Sequence, residues 1–403
     1  MKGSRPSSLK LDCYIRQQAR RTLTTSFRNL LRPTIVVSSR NHSLTPSFRD
    51  SLAYPTGFDY IIPLVLYLQA RFSKSLYTSS ITKPDQEYNV TISNSGKMVQ
   101  VAFLGLGNMG QGMIHNLSAK GNLDSPLIIW NRSTKKSEAF AAGKNITVAP
   151  SIEDAVSKSD IIFSCVSNDD AITGVYDIAL KIPGGVKGKV FSECSTIHPD
   201  TTRQLEKVTK AAGAEFVASP VFGAPAAAAA GALIFVTSGS KAAIDTIRPY
   251  LVGVMGRQVI DLSDDPDVGK ALTLKITGNT IILGMVEALS EGHVLAEKSG
   301  LGTENFEKFI AALFGQSPYL PYSKRLTTGD YVREQPLFAV DLAAKDARHA
   351  LSLAKTSGTT LPVTEIAAKH LASVKEEMGV SGDITSIYGI LREAAGLPFI
   401  DKK

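Results

Sequence analysis

Three cysteines in 403 residues, Cys13, Cys165 and Cys194, with no C-x-x-C spacing, exclude a disulfide framework and a zinc site of the familiar kind. The six histidines form no H-x-x-x-H or H-x-x-E pattern, so no metal is expected. Long apolar runs are missing from the N-terminal region. Its most apolar stretch, Ile61 to Leu68, is interrupted by Pro63 and falls far short of the ~20 residues a bilayer span requires, so no membrane partner is expected. A basic excess is missing where it would matter. Of 44 Lys and Arg and 37 Asp and Glu, 14 and 5 lie in residues 1–97, leaving 30 and 32 for the rest. The net charge of +7 therefore belongs to the first segment, and the remainder offers no electrostatic footprint for nucleic acid.

That first segment is rich in Arg and Ser and poor in acids. Ile15, Ala19, Leu23, Phe27 and Leu31 recur every fourth residue, while Arg16, Arg20, Arg21, Arg28 and Arg32 lie off the stripe. A basic amphipathic helix in an acid-poor segment is how mitochondrial transit peptides look. The expectation is a disordered leader over 1–97 and a mitochondrial matrix destination. The plainer alternative is a disordered tail, or a start at Met98, with a cytoplasmic protein.

What is present begins at Val99: V-Q-V-A-F-L-G-L-G-N-M-G-Q-G-M. The apolar run Val101 to Leu104 stops at Gly105, and Gly107 and Gly110 complete G-x-G-x-x-G before a helix-compatible segment, Met109 to Lys120. The first glycine permits the tight turn, the second leaves no side chain between backbone and a pyrophosphate, and the third lets helix and strand pack closely. Phosphates would rest on amide N–H groups at the helix N-terminus. Gly105, Leu106, Gly107, Asn108, Met109 and Gly110 are thus the expected cofactor-facing turn. A second strand, Leu127 to Trp130, ends at Asn131, where such a fold meets the adenosine ribose. An NAD site usually places Asp or Glu there. This chain has Asn131, Arg132, Ser133 and Thr134, which carry no charge to repel a 2′-phosphate and offer a guanidinium and hydroxyls to bind one. NADP is expected over NAD, with NAD as the alternative; N-capping of the next helix by Ser133 is the plain reading of the same residues.

Short β-branched runs then alternate with helical patterns: strands at 146–148, 161–166, 190–193, 215–217, 233–238 and 257–260, and helices opening at Ile152, Asp169, Pro199 and Lys241. This predicts an α/β Rossmann domain, a doubly wound parallel sheet, over 98–262. Ligands in such folds sit beyond the carboxyl ends of the strands. Three loops fall there: the one at Val166, which joins the cofactor-facing set, E-C-S-T-I-H-P with Ser195 and Thr196, and A-S-P-V-F-G-A-P with Phe222 and Gly223. Hydroxyls at Ser195 and Thr196 suit a nicotinamide carboxamide or a substrate; capping of the helix near Pro199 is the other reading of Ser195.

From Asp267 to Ser299 no proline occurs, and the apolar residues keep a helical period. An all-helical domain over 263–403 follows. Lys275 and Asn279, four apart on one face, are the polar interruption in an apolar stretch. By composition Lys275 reads as a surface lysine; with burial and a cationic ring nearby it could serve as a general acid/base. Phe338, Lys345 and Asp346 fall in F-A-V-D-L-A-A-K-D, by itself an ordinary amphipathic helix start.

From Met98 to about Phe399 the chain resembles the β-hydroxyacid dehydrogenase family, which includes 3-hydroxyisobutyrate dehydrogenase and the glyoxylate/succinic semialdehyde reductases. The resemblance rests on F-L-G-L-G-N-M-G, S-T-I-H-P, P-V-x-G with its alanine helix, K-x-x-x-N, and F-x-x-x-x-x-x-K-D. It implies hydride transfer between NADP(H) and a small hydroxy acid or semialdehyde, and a homodimer or homotetramer. It implies that Lys275 is the catalytic lysine, that Asn279 orients substrate, and that Ser195 and Thr196 contact substrate and cofactor. Lys345 and Asp346 would close over the nicotinamide, and Phe338, eight residues before Asp346, matches the aromatic of the reductase branch and joins the cofactor-binding set. One departure matters: where the family's loop usually reads P-V-S-G-G, this chain has Pro220, Val221, Phe222, Gly223 and Ala224. A phenyl ring replaces a carboxylate-binding hydroxyl, which suggests a bulkier or less polar substrate. A 6-phosphogluconate dehydrogenase would carry His where Gly278 stands, an imine reductase generally lacks the lysine, and an inactive NADP-binding scaffold is the reading from another class.

Overall fold

The computed structural model describes residues 98–401; the expectations for residues 1–97 lie outside them. Six parallel strands form the centre of the sheet: β1 (Val101–Leu104), β2 (Leu127–Trp130), β3 (Ile146–Val148), β4 (Ile161–Ser164), β5 (Val190–Glu193) and β6 (Glu215–Ala218). They run in the order β3-β2-β1-β4-β5-β6. The order reverses between β1 and β4, and the crevice beyond their carboxyl ends is the place such sheets bind ligands.

The connecting helices are α1 (Asn108–Lys120), α2 (Thr134–Ala141), α3 (Ile152–Ser157), α4 (Asp169–Ala179) and α5 (Pro199–Ala211). Their starts follow local chemistry. Ser151 Oγ accepts from the Asp154 N–H, Asn168 Oδ1 accepts from the Ala171 N–H, and Pro199 opens α5 behind the capping ring of His198. Ser133 precedes α2 but its side chain makes no capping bond, so the plain capping reading of that residue does not hold. Nor does it hold for Ser195, because the cap of α5 is His198.

The far edge departs from simple alternation. β7 (Val221–Phe222) and β8 (Leu233–Gly239) flank the alanine helix α6 (Pro225–Ala230); α7 (Lys241–Leu251) and β9 (Gly256–Asp261) follow. β8 runs antiparallel to both β6 and β7 and parallel to β9. Apolar side chains fill both faces of the sheet, as continuous apolar strand sequences require.

A 30-residue helix, α8 (Gly269–Lys298), carries the chain out of the sheet. Its start is held by a fork: Arg203 of α5 donates from Nε and Nη2 to the two oxygens of Asp267, both at 2.8 Å. By length and composition α8 would suffice to cross a bilayer. In this fold it is instead the axis of a helical cluster with α9 (Thr303–Phe314), α10 (Tyr319–Thr327), α11 (Val340–Thr356), α12 (Pro362–Met378) and α13 (Ile387–Ala394). Its polar residues Lys275, Asn279, Glu287 and His293 are buried within that assembly.

Candidate active site

The glycine turn closes on itself as the residue types require. Gly105 sits at φ +109°, and a Cβ there would lie 2.2 Å from the Cys165 carbonyl oxygen. A Cβ on Gly110 would meet the Gly105 carbonyl at 2.4 Å, while one on Gly107 would meet nothing within 4 Å. Gly105 and Gly110 thus serve contact between strand and helix, and Gly107 leaves an open cradle at the start of α1, the shape a pyrophosphate needs. Leu106 is buried, and its N–H donates to Asn131 Oδ1 at 3.1 Å, so the end of β2 is tied to the turn. Arg132 and Ser133 are exposed beside it. Asn108 reaches the other way and donates from Nδ2 to the Pro336 carbonyl at 3.1 Å. Met109 packs against the sheet.

The predicted lysine is not on the surface. Lys275 is 8% exposed; its Nζ donates to Asn279 Oδ1 at 2.9 Å and stands 4.5 Å from the centre of the Phe222 ring. Asn279 Nδ2 in turn donates to Asp346 Oδ2 at 2.6 Å, and the other oxygen of Asp346 pairs with Lys345 Nζ at 3.3 Å. Lys345 also donates to the Ser167 carbonyl at 3.1 Å and to the Thr196 carbonyl. One polar chain therefore runs from β7 through α8 and α11 to the loops after β4 and β5. Burial lowers the Lys275 amine from 10.5 to about 8; Lys345 adds to that, and Asp346 and Cys165 oppose it.

The structure brings Lys275, Asn279, Phe222, Lys345, Asp346 and Thr196 into this connected set. Ser195 lies below: its Oγ accepts from the Val166 N–H at 2.8 Å, which ends β4 at Ser164 instead of letting the strand run on to Val166. Gly223 is exposed at φ +138°, with no room for a Cβ beside Leu233. Phe338 packs on the helical core and its N–H donates to Asp383 Oδ2 at 2.9 Å; no hydrogen bond joins it to the lysine chain. Among the described residues no cluster of three or more His, Cys, Asp or Glu is placed to hold a metal.

Sequence reasoning missed several residues here. Gly278 is small because the Phe222 ring lies against it; a Cβ would come within 2.4 Å of the ring. Glu193, the last residue of β5, is wholly buried beneath Ser195. Asp169 opens α4 and gathers the His198 N–H at 2.8 Å, Thr201 Oγ1 at 2.7 Å and His349 Nε2 at 3.0 Å. Burial would raise its carboxyl, but these hydrogen bonds prevail and hold it well below the ordinary range. The single signal in sequence was that Lys345 and His349 are one helical turn apart on α11.

Two family descriptions match the chain. Residues 100–262 match the NAD binding domain of 6-phosphogluconate dehydrogenase, and residues 269–391 match the NAD-binding region of NADP-dependent 3-hydroxyisobutyrate dehydrogenase. A relative from Aspergillus ustus, named NADH-dependent oxidoreductase ucdB, is 36% identical over 292 residues, 72% of this chain and 98% of its own. The chloroplastic glyoxylate/succinic semialdehyde reductase 2 of Arabidopsis thaliana is 27% identical, over 73% of this chain and 80% of its own. The solved 3-hydroxyisobutyrate dehydrogenase of Mycobacterium tuberculosis, described with L-serine, shares the fold at a TM-score of 0.61 and 24% identity, covering 73% of this chain and all of that one.

Proposed function

We propose that this chain, which belongs to the β-hydroxyacid dehydrogenase family and is an NAD(P)-dependent oxidoreductase, moves a hydride between NADP(H) and a hydroxyl-bearing carbon of a small 3-hydroxy acid or the corresponding semialdehyde. The observation that carries the reading is the Lys275 ammonium, buried, hydrogen-bonded to Asn279 and lowered to about 8. An amine in that range holds and releases a proton near neutral pH, as a general acid/base must.

When bound, the nicotinamide would supply the hydride in reduction and accept it in oxidation, and the chain would supply binding, orientation and the proton. The open position at Gly107 and the N–H groups opening α1 would hold the diphosphate. In reduction, Lys275 Nζ donates its proton to the carbonyl oxygen as negative charge develops there; in oxidation the neutral amine takes the hydroxyl proton. Asn279 keeps the amine aimed, and Asp346 keeps Asn279 aimed. Phe222 presents a ring where a hydroxyl would assist a carboxylate, which favours a bulkier or less polar substrate than the reductases named above take. NADP is preferred over NAD because Arg132 and the uncapped Ser133 are exposed at the end of β2 and no carboxylate stands there. Exposed apolar side chains on α8 and α12, among them Ile281, Val363 and Ile366, support assembly into a homo-oligomer.

The test is cofactor oxidation with a panel of semialdehydes and glyoxylate, NADPH and NADH run side by side because the Aspergillus relative is named for NADH. Turnover should be faster with NADPH. Lys275→Ala should bind NADPH nearly as well as the parent and turn over slower by orders of magnitude; equal turnover refutes the role. Binding without turnover on the whole panel favours a scaffold.

A further inference from the structure

Glu193 is a buried ionisable group at the end of β5 that the proposed chemistry leaves unused. Its side chain is 0% exposed, and its Oε1 accepts from the Ser195 N–H at 2.8 Å. The Ser195 Oγ in turn accepts from the Val166 N–H at 2.8 Å. Val166 follows Cys165, whose carbonyl lies against Gly105. The loops after β1, β4 and β5 are therefore tied in series to one carboxylate.

A neutral amide would serve Ser195 as well. Burying a carboxylate is costly unless something reads its charge, and Glu193 Oε2 has no hydrogen-bond partner. Several charged or titratable groups face it. Lys345 comes from α11 and Asp169 and Tyr176 from α4; Cys165 follows β4 and Cys194 follows β5. Lys345 is the cation among them, and its ammonium is bonded to the carbonyls of Ser167 and Thr196, in the loops that Glu193 secures.

We propose that Glu193 is a positioning residue whose ionised carboxylate holds the Val166–Ser195–Thr196 floor of the cofactor site and fixes the Lys345 ammonium upon it, so that proton uptake by Glu193 loosens cofactor binding. It never touches the reacting atoms; it acts through Ser195 and Lys345. The inference rests on the cofactor site proposed above but not on turnover. Burial raises this carboxyl from 4.5 to about 7, against the lowering by Ser195 and Lys345, so the switch falls within the range of ordinary assays.

The experiment titrates NADPH and NADH binding by nucleotide fluorescence from pH 5.5 to 9 in the full chain and in Glu193→Gln and Glu193→Asp. NADH is included because it lacks the 2′-phosphate, which itself titrates near the lower end. In the parent, affinity for both cofactors should weaken several-fold as pH falls through about 7. Glu193→Gln keeps the bond to the Ser195 N–H and should fold. It should bind about as weakly as the protonated parent at every pH, with a raised cofactor KM and kcat changed less than about threefold. Glu193→Asp should restore an inflection. An inflection near 7 that persists with NADH in folded Glu193→Gln overturns the proposal, and so does a parent with no inflection. Binding that behaves as described, with no turnover on any carbonyl, would sink the hydride-transfer reading and leave Glu193 in its role.

Discussion

At the scale of single residues, the decisive fact is that Lys275 is a buried amine with one hydrogen bond and one aromatic face for company. Its lowered value has a sign that kinetics can read. Under the proposed mechanism reduction needs the ammonium, so kcat/KM for carbonyl reduction should fall as pH rises through about 8, and oxidation, which would need the free amine, should rise across the same window. Stability follows the same group. Between about 8 and the ordinary 10.5 the folded chain binds fewer protons than the unfolded one, so this lysine's contribution grows with pH there and is lost as pH falls to 8. Lys275→Met should therefore be more stable than the parent at pH 7, by roughly 3 kcal/mol at most, and the gap should close above 10.5. A reduction profile flat from pH 7 to 9 would show that another group donates the proton.

At the scale of elements, what shapes the site is the contact of β7 with α8. The Phe222 ring occupies the space above Gly278, so the two positions form one unit. Gly278→Ala gains helix propensity worth about 1 kcal/mol but drives a Cβ into the ring, and overpacking of that sort costs about 1–3 kcal/mol. The ring then leaves Lys275, and both melting temperature and kcat/KM should drop. Phe222→Ser on the Gly278→Ala background removes the clash. The stability cycle should show favourable coupling of about 0.5–3 kcal/mol between the two changes. Additive effects would mean that the ring never constrained the helix. A comparable pairing holds the end of α6 from behind: Asn116 on α1 donates to the carbonyls of Ala228 and Ala229, at 2.8 and 2.9 Å. Gly112 lets the two helices close to backbone contact.

At the scale of the whole described fold, one face of α11 docks the helical cluster onto the sheet. Lys345 bonds carbonyls of the loops after β4 and β5, and His349, one turn on, reaches Asp169 at the head of α4. The Asp169 carboxyl is held well below 3.8, so its contribution is present above that value and is lost as pH falls toward its depressed one. Asp169→Asn keeps the size and removes the charge. Cofactor KM should rise several-fold while kcat on bound substrate changes little, and the part of the acid unfolding curve below pH 3.8 due to this group should flatten. An unchanged KM would show that the docking survives on Lys345 alone.

Alternating apolar runs, glycines at fixed offsets and capping residues act over a few neighbours, and from them alone followed the parallel sheet, the turn at Gly105–Gly110, and a long helix carrying Lys275 and Asn279 on one face. Helical period gave the face but not what it touched. Burial of Lys275, the contact of Phe222 with Gly278, the antiparallel run of β8, and the meeting of Glu193, Asp169, Lys345 and His349 depend on segments as far as 180 positions apart. No local propensity encodes such encounters. They arise when the two sheet faces and the helical cluster bury their apolar surfaces together, and only that packing removes the water that sets the charge on each of these groups.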